Sequence, residues 1–165
     1  AFLKKDADFI IDTSKLLTRE LRQELEKIFL KHQEYCNMFV TVLSFGFKYG
    51  IPEDADLVFD VRFLPNPYYS EDLRLLTGED QSVRDYVMQG GTCAQFLDKL
   101  YDMMDFLLPN YINEGKNQLV VAVGCTGGKH RSVTVARALC AHLTARAEYG
   151  IKIEHRDIDK DNKRK

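Results

Sequence analysis

Long apolar runs and paired cysteines are both missing from this sequence of 165 residues. No stretch approaches the roughly 20 consecutive apolar residues of a transmembrane helix, and the first residues do not form a signal peptide. The four cysteines lie far apart, so we expect neither a disulfide framework nor a structural zinc site. The sequence therefore predicts a cytoplasmic protein in a reducing compartment, with no membrane partner and no bound metal.

A dominant charge of one sign is missing as well. Lysine and arginine number 23 and aspartate and glutamate number 25, which gives a formal net charge of −2. This balance argues against a protein whose whole surface binds nucleic acid, but it is compatible with a local basic patch. The last residues, 160–165, form such a basic stretch, which is either a solvated tail or a contact for a phosphate backbone.

Strand-like and helix-like patterns alternate along the chain. Apolar groups predict strands at residues 9–11, 38–45, 57–61 and 119–123, and apolar–polar alternation predicts an edge strand at 151–158. Apolar residues at helical spacing predict a helix with Thr18 as its N-cap, a second after residue 80, and a third in which Met103 faces inward and Pro109 ends the helix. This alternation is typical of an α/β fold with a mainly parallel sheet flanked by helices.

Residues 119–132 combine the parts of an anion-binding site. A buried strand runs into a loop of small residues: Gly124, Cys125, Thr126, Gly127 and Gly128. A helix is predicted from about residue 129, and its first residues are charged or polar: Lys129, His130, Arg131 and Ser132. Free amides and the positive end of a helix dipole hold anions at such a junction. The pattern favours a phosphate or carboxylate site, the alternative being an ordinary strand-to-helix turn with a basic rim.

Ligands of parallel sheets bind beyond the carboxyl ends of the strands. We therefore expect the loops at residues 46–50, 62–69 and 124–128 to surround one crevice. Within it, Arg131 could hold a phosphate through two parallel hydrogen bonds.

The loop departs from the Walker A motif of nucleotide-hydrolysing proteins, G-x-x-x-x-G-K-[S/T]. Val123 stands where the first glycine belongs, and His130 follows the lysine. We therefore expect that this chain is not an enzyme that hydrolyses ATP or GTP.

The same loop does satisfy the signature of cysteine-dependent phosphatases, a cysteine followed after five residues by an arginine and a serine. Cys125 and Arg131 occupy the two key positions, although Gly124 replaces the histidine that usually precedes the cysteine. In this alternative function Cys125 would be the thiolate nucleophile, and Asp60 or Asp80 the general acid. Asp60 lies in an apolar strand, so it either pairs with a neighbour such as Arg62 or serves the site.

Four motifs together resemble the C-terminal domain of the RapZ/YvcJ family. They are GCTGGKHRS at 124–132, FGFKYGIP at 45–52, DVRFLPNP at 60–67 and LLTG at 75–78. The resemblance covers the chain from about residue 40 to its end, so residues 38–165 are identified as the C-terminal ligand-binding and RNA-binding domain. Residues 1–37 resemble the tail and linker helix of the family's N-terminal P-loop NTPase domain.

The resemblance implies a fold related to a phosphofructokinase subdomain and a non-catalytic regulatory function. Relatives sense an amino-sugar phosphate, bind a small regulatory RNA, present it to an endoribonuclease or engage another regulatory protein, and self-associate into homo-oligomers. Full-length relatives also carry an ATP- or GTP-hydrolysing domain. The implied ligand is a phosphate or sugar phosphate, with no other cofactor.

The family's ligand pocket corresponds to Thr126, Gly127 and Arg131, with Cys125 and His130 beside them. Gly128, Lys129 and Ser132 complete the ligand-binding loop, and Tyr68 stands where the amino-sugar-phosphate sensors have a histidine. Tyrosine can donate a hydrogen bond but cannot become cationic, so the identity of the sugar phosphate stays open. The implied RNA contacts are basic residues: Lys48, Lys163, Arg164 and Lys165.

Overall fold

A computed structural model describes residues 38–146 and 148–160, together with residues 11, 13, 14 and 17–29. Its contacts divide the chain into two units, Ala1–Tyr35 and Cys36–Lys165. Two predicted features lie outside the described residues: most of the strand at 9–11, and the basic residues Lys163, Arg164 and Lys165.

The described residues of the first unit include a helix, α1, over Thr18–Phe29. Thr18 is its first helical residue, so the prediction that Thr18 is the N-cap is wrong. The amide of Leu17 instead donates to the carboxylate of Glu20 at 2.9 Å. A glutamate in the first turn that reaches back to the preceding amide satisfies a donor for which the helix has no acceptor.

Among its described residues, the second unit contains four parallel strands: β1, Phe39–Gly46; β2, Leu57–Asp60; β3, Gln118–Cys125; and β4, Gly150–His155. The strand order is β2-β3-β1-β4, which confirms an α/β fold with a parallel sheet. In the register of the two central strands, Gly46 lies beside Cys125. Both loops that follow these strands therefore start at the same edge.

The helices of this unit are α2, Glu71–Arg74; α3, Gln81–Met88; α4, Thr92–Glu114; and α5, Arg131–Thr144. Short 3-10 turns cover Phe47–Tyr49 and Pro67–Tyr69. Helix α5 packs on β1, β3 and β4, and α3 and α4 pack on α5. The side chains between these layers form a fully buried core that includes Val42, Val121, Met104, Leu108, Leu139 and Leu143.

Both edges of the sheet differ from its centre. Strand β2 has only four residues, and its Val58 is exposed. Strand β4 carries an exposed ion pair between Lys152 and Glu154 at 2.5 Å. The edge strand predicted after residue 150 is confirmed, and it ends at His155, earlier than predicted.

Helix α4 corrects two predictions. Pro109 lies inside the helix, which continues to Glu114 and ends at Gly115 with a left-handed φ of 97°. Tyr111 and Ile112 pack against the core, and this tertiary packing outweighs the local preference of proline for a helix end. Met103, predicted to face inward, is 47% exposed, whereas its neighbour Met104 is fully buried.

Within the part of the chain that the structure describes, no helix has both the length and the apolar character to cross a membrane.

Replacing Pro109 with alanine should stabilise the protein. Pro109 lacks the N–H that an α-helical residue donates to the carbonyl four positions earlier, and its ring crowds that carbonyl. We expect Pro109→Ala to raise the free energy of unfolding by about 1 to 3 kcal/mol, measured by urea denaturation. As a matched change in the same helix, Gly115→Ala should lower it by about 1 kcal/mol, because of the positive φ. A less stable Pro109→Ala protein would mean that the packing of the core requires the proline.

Candidate functional site

The loops that follow β1, β2 and β3 surround a cavity of about 540 Å³. Six residues of the predicted glycine-rich loop line this cavity: Cys125, Thr126, Gly127, Lys129, His130 and Arg131. Lys48 lines it from the turn after β1, and Tyr68 lines it from the loop after β2. The structure therefore brings most of the predicted site residues together at the carboxyl edge of the sheet, where parallel sheets bind ligands.

Four residues that line the cavity were not among the predicted site residues: Asn66, Tyr69, Arg74 and Leu75. Asn66 lies in the NPYY segment, and its side chain accepts a hydrogen bond from the amide of Tyr68 at 3.3 Å. Arg74 lies in α2, donates to the carbonyl of Tyr68 at 3.0 Å, and stands over the Tyr68 ring at 5.1 Å. The motifs at 60–67 and 75–78 include Asn66 and Leu75 and were the available signal for these two positions, whereas Tyr69 and Arg74 lie outside both motifs.

Gly128 and Ser132 support the loop from behind and do not line the cavity. A Cβ atom on Gly128, which has a φ of 76°, would lie 2.7 Å from the amide nitrogen of Gly46 and 2.9 Å from the Cβ of Asp157. Ser132 is fully buried, and its Oγ lies 3.1 Å from the Sγ of Cys125. Only glycine fits at position 128, because both the space and the backbone angle exclude a side chain.

Asp157, which the sequence did not single out, fixes the base of this loop. It is 1% exposed and accepts hydrogen bonds from the amide of Gly46 at 2.8 Å and from the side chains of Arg156 and Lys160. Burial raises the pKa of Asp157, but the hydrogen bonds from Arg156, Gly46 and Lys160 together outweigh burial and hold that pKa below its ordinary value. The carboxylate thus ties the segment after β4 to the end of β1.

The N-terminus of α5 opens on the cavity. The helix begins at Arg131, two residues later than predicted, because Gly128 and the N-cap residue His130 have non-helical backbone angles. The amide of Thr134 is the first to bond a helical carbonyl, that of His130, at 3.0 Å. The amides of the first turn before it have no carbonyl acceptor within the helix.

Arg131 is 5% exposed and spans the cavity. Its NH1 donates to the carbonyls of Arg62, at 2.6 Å, and Leu64, at 3.3 Å. Its NH2 donates to the Oγ1 of Thr126 at 3.3 Å. These bonds use part of the donor set of the guanidinium and hold it rigidly across the loops after β2 and β3.

The charges around the cavity are of one sign. Lys48, Arg74, Lys129 and Arg131 line it, and no aspartate or glutamate does among the residues described. The imidazole of His130 is 7% exposed; burial first, and then the charge of Lys129, hold the pKa of His130 below its ordinary value. The histidine is therefore neutral, and the lysine and arginine side chains give the cavity its positive potential.

The geometry around Cys125 bears on the phosphatase alternative. Its Sγ lies 3.3 Å from the amide of Gly128, and the residue is 3% exposed. The candidate acid Asp60 forms an ion pair with Arg62 at 2.7 Å, and the hydrogen bonds from Arg62 lower the pKa of Asp60. Hydrogen bonds from the amide and hydroxyl of Thr77 likewise lower the pKa of Asp80. Neither Asp60 nor Asp80 lines the cavity, and both have a pKa below the ordinary value, so neither has the position or the raised pKa that is typical of a general acid.

No group of histidine, cysteine, aspartate and glutamate side chains suited to hold a metal ion occurs in the described ranges. Of the predicted RNA contacts, Lys48 lies at the cavity, and the other three are outside those ranges.

Comparison with known proteins identifies relatives of most of this chain. A family model described as the RapZ C-terminal domain matches residues 38–159. A "nucleotide-binding protein" of Agathobacter rectalis is 64% identical over 97% of this chain and 55% of its own length. Proteins of the same name are 60% identical in Lachnoclostridium phytofermentans, over 96% of this chain, and 54% identical in Acetivibrio thermocellus, over 98%. Each alignment covers 55% of the relative, so the chain spans about half the length of these curated proteins.

Replacing Asp157 with asparagine should destabilise the protein in a pH-dependent way. The substitution leaves the half-buried charge of Arg156 and the exposed charge of Lys160 without the buried carboxylate that pairs with both. We therefore expect a loss of about 2 to 3 kcal/mol at pH 7, measured by urea denaturation. The stabilisation by the wild-type carboxylate is present above its ordinary pKa of 3.8 and is lost as the pH falls through the lower pKa of the folded state.

Glu154→Gln is the matched control for Asp157→Asn. It removes an exposed ion pair on the same segment and should cost less than about 1 kcal/mol. Equal effects of the two substitutions at pH 7 would contradict a structural role for the buried carboxylate.

Proposed function

This chain belongs to the family of RapZ C-terminal domains, and from that premise we propose that it is a non-catalytic domain that binds a phosphorylated metabolite in the cavity and RNA at the adjoining edge. One observation carries the metabolite half of the proposal. The N-terminus of α5, the glycine-rich loop and the buried Lys129 and Arg131 converge on one cavity with no lining carboxylate among the described residues. Amides at a helix start and charged donors of this kind recognise phosphate.

The dimensions of the cavity support a small organic phosphate as its ligand. A volume of about 540 Å³ is within the range of sites for small molecules, roughly 300 to 1,000 Å³, and exceeds what a bare phosphate fills. Tyr68 and Tyr69 are exposed at its rim and present both ring faces and hydroxyl groups. The resemblance implies a ligand of the amino-sugar phosphate class. Such a ligand is compatible with a cationic, anion-binding cavity and with a rim of aromatic and polar groups.

The RNA half of the proposal rests on the pattern of cations and rings beside the cavity. The Nζ atoms of Lys48 and Lys160 stand 4.9 and 4.8 Å from the ring centre of Tyr49. The guanidinium of Arg62 lies 4.4 Å from the centre of the Phe47 ring. Aromatic rings with interspersed cations are typical of surfaces that bind single-stranded nucleic acid.

The basic residues at 163–165 follow Lys160 in the sequence after Asp161 and Asn162, and they add three positive charges. Such a domain would regulate by presenting a small RNA to an endoribonuclease or another regulatory protein, and it would act as a homo-oligomer. The relatives are named nucleotide-binding proteins, and we assign that property to the half of the full-length protein that lies outside this chain. The cytoplasm is the compartment in which these partners meet.

Removing the guanidinium of Arg131 should weaken phosphate binding. We expect Arg131→Ala to reduce the affinity for glucosamine 6-phosphate by about 1.5 to 3 kcal/mol, the range for a hydrogen bond to a charged group, measured by calorimetry. Because Arg131 also bonds the carbonyls of Arg62 and Leu64, circular dichroism should first establish that the variant is folded. Lys152→Ala removes an exposed cation at the other end of the sheet and serves as the control. Unchanged affinity in a folded Arg131→Ala protein would contradict the proposed phosphate site.

A generic phosphate ester distinguishes binding from catalysis. We expect no turnover of para-nitrophenyl phosphate by the chain, because Cys125 is 3% exposed and neither candidate acid lines the cavity. Turnover that is abolished by Cys125→Ser would instead establish the phosphatase alternative.

Neutralising the basic residues at the end of the chain should lower RNA affinity. When Lys163, Arg164 and Lys165 are all replaced by alanine, fewer counterions are released on binding. The slope of the logarithm of affinity against the logarithm of salt concentration should then become less negative by up to about 2 for a single-stranded RNA. Filter binding of a single-stranded RNA over a series of salt concentrations measures this slope, with Lys152→Ala as the control of equal charge type. Failure of the unaltered chain to retain RNA at low salt would eliminate this half of the proposal.

A further inference from the structure

One flank of helix α4 carries large apolar side chains that are exposed. The opposite flank packs on α5, where the ring of Tyr101 stacks on that of His142 and the carboxylate of Asp105 lies 3.0 Å from the Nε2 of the same histidine. On the flank that faces away from α5, Phe106 is 69% exposed and Met103 is 47% exposed. Apolar side chains this exposed on neighbouring turns of one helix are typical of an interaction surface.

The exposed flank repeats at alternating steps of three and four residues. We call its five residues the α4 seam: Phe96, Lys99, Met103, Phe106 and Asn110. Steps of three and four are the heptad spacing with which two helices pack along a shared line of contact. The core buries a different stripe of the same helix: Cys93, Leu97, Leu100, Met104 and Leu108. The α4 seam is therefore a second, separate stripe, and the packing of the core does not account for it.

Two oppositely charged residues at the α4 seam lack a partner within the described part of the chain. Lys99 belongs to the seam and Asp102 borders it, and both are exposed. Neither forms an ion pair with another described residue, whereas Asp105 of the same helix pairs with Arg146. A partner helix that places an acidic group near Lys99 and a basic group near Asp102 would neutralise both charges.

A second copy of α4 that runs in the opposite direction provides this pattern. When Lys99 lies opposite Met103 of the second copy, Phe96 lies opposite its Phe106, and the ammonium group of Lys99 comes close to its Asp102. The aliphatic part of the lysine then packs on the thioether while its charge stays at the edge of the contact. Two-fold symmetry makes each of these contacts twice. A parallel arrangement would instead place the two copies of Lys99 opposite each other, and like charges repel.

The exposed apolar area indicates how strong such a contact would be. Phe63, which packs on Phe96 with 5.4 Å between the ring centres, is itself 57% exposed and widens the apolar surface. An aromatic side chain buries roughly 150 to 250 Å² in full, so the exposed parts of Phe63, Met103 and Phe106 amount to about 300 Å² per copy. Together with the polar residues beside the seam, two copies would bury on the order of 1,000 Å². This area lies at the low end for specific interfaces and is typical of weak, reversible association.

We propose that two copies of this domain associate through the α4 seam. The two helices run antiparallel across a two-fold axis near residue 101, and Lys99 of each copy pairs with Asp102 of the other. This inference rests on the homo-oligomer in the proposed function and names the surface that forms it. The seam residues do not line the ligand cavity, so the contact leaves the phosphate site accessible.

Sedimentation velocity of the 165-residue chain in a reducing buffer, from about 1 to 300 µM, tests the contact. We expect a reversible equilibrium between monomer and dimer, with a dissociation constant on the order of 10 to 100 µM. Phe106→Asp should raise this constant at least about 10-fold, because the substitution places a charge in both halves of a symmetric apolar contact. Ile51→Asp is the matched control: it replaces an apolar residue that is 56% exposed and lies outside α4, and it should change the constant less than about 2-fold.

Reversal of the charges tests the antiparallel register. Lys99→Asp and Asp102→Lys each bring like charges together twice in the dimer. We expect each single substitution to raise the dissociation constant about 3- to 10-fold at low ionic strength. The double variant restores opposite charges across the two-fold axis, so its constant should return to within about 2-fold of that of the unaltered chain. Two single effects that simply add in the double variant would overturn the inference.

The outcomes for the proposed function and for the α4 seam differ. If the unaltered chain stays monomeric at about 300 µM, the homo-oligomer fails as part of the proposed function of this domain, and this inference fails with it. If the chain dimerises and a folded Phe106→Asp protein, checked by circular dichroism, dimerises equally well, the inference alone fails. Calorimetry with glucosamine 6-phosphate tests the phosphate site separately, since Phe106→Asp should bind it with the affinity of the unaltered chain.

Discussion

The close approach of two backbones, one at the end of β1 and one in the loop after β3, is the constraint on which this site depends. A Cβ atom on Gly46 would lie 2.6 Å from the carbonyl carbon of Gly127, so the two segments touch only because Gly46 has no side chain. The carboxylate of Asp157 accepts a hydrogen bond from the amide of Gly46, and this bond fixes the end of β1 at the contact. The position of the loop, and hence of every donor that it carries, follows from this contact.

Two neighbouring residues of the cavity wall differ in charge. Arg131 is charged and rigid, because its guanidinium is bonded to the loops on both sides. His130 is neutral and has one nitrogen without a partner. The cavity wall thus contains a buried cation beside a buried neutral imidazole, two groups of different chemistry within a small space.

The sequence was sufficient for the parts of the fold that depend on local pattern. The apolar, β-branched runs of β1 and β3 and the small residues of 124–128 predicted two central strands and the loop between strand and helix, because each feature is contiguous. The prediction that the helix ends at Pro109 was wrong, because the helix continues where Tyr111 and Ile112 pack against the core. This packing involves residues distant in the sequence and leaves no local pattern. Asp157 was missed because its partner Gly46 is distant in the sequence, and nothing in a lone aspartate after an edge strand indicates burial.

The two edges of the sheet have a consequence for how this domain can meet a second copy of itself. Strand addition requires a long, flat edge with open main-chain donors and acceptors. Strand β2 has only four residues. In β4 the exposed charged residues Lys152 and Glu154 alternate with less exposed neighbours. Pairing of either edge strand with a strand of a second copy is therefore disfavoured. A contact between two copies would more readily use side chains of helices and loops.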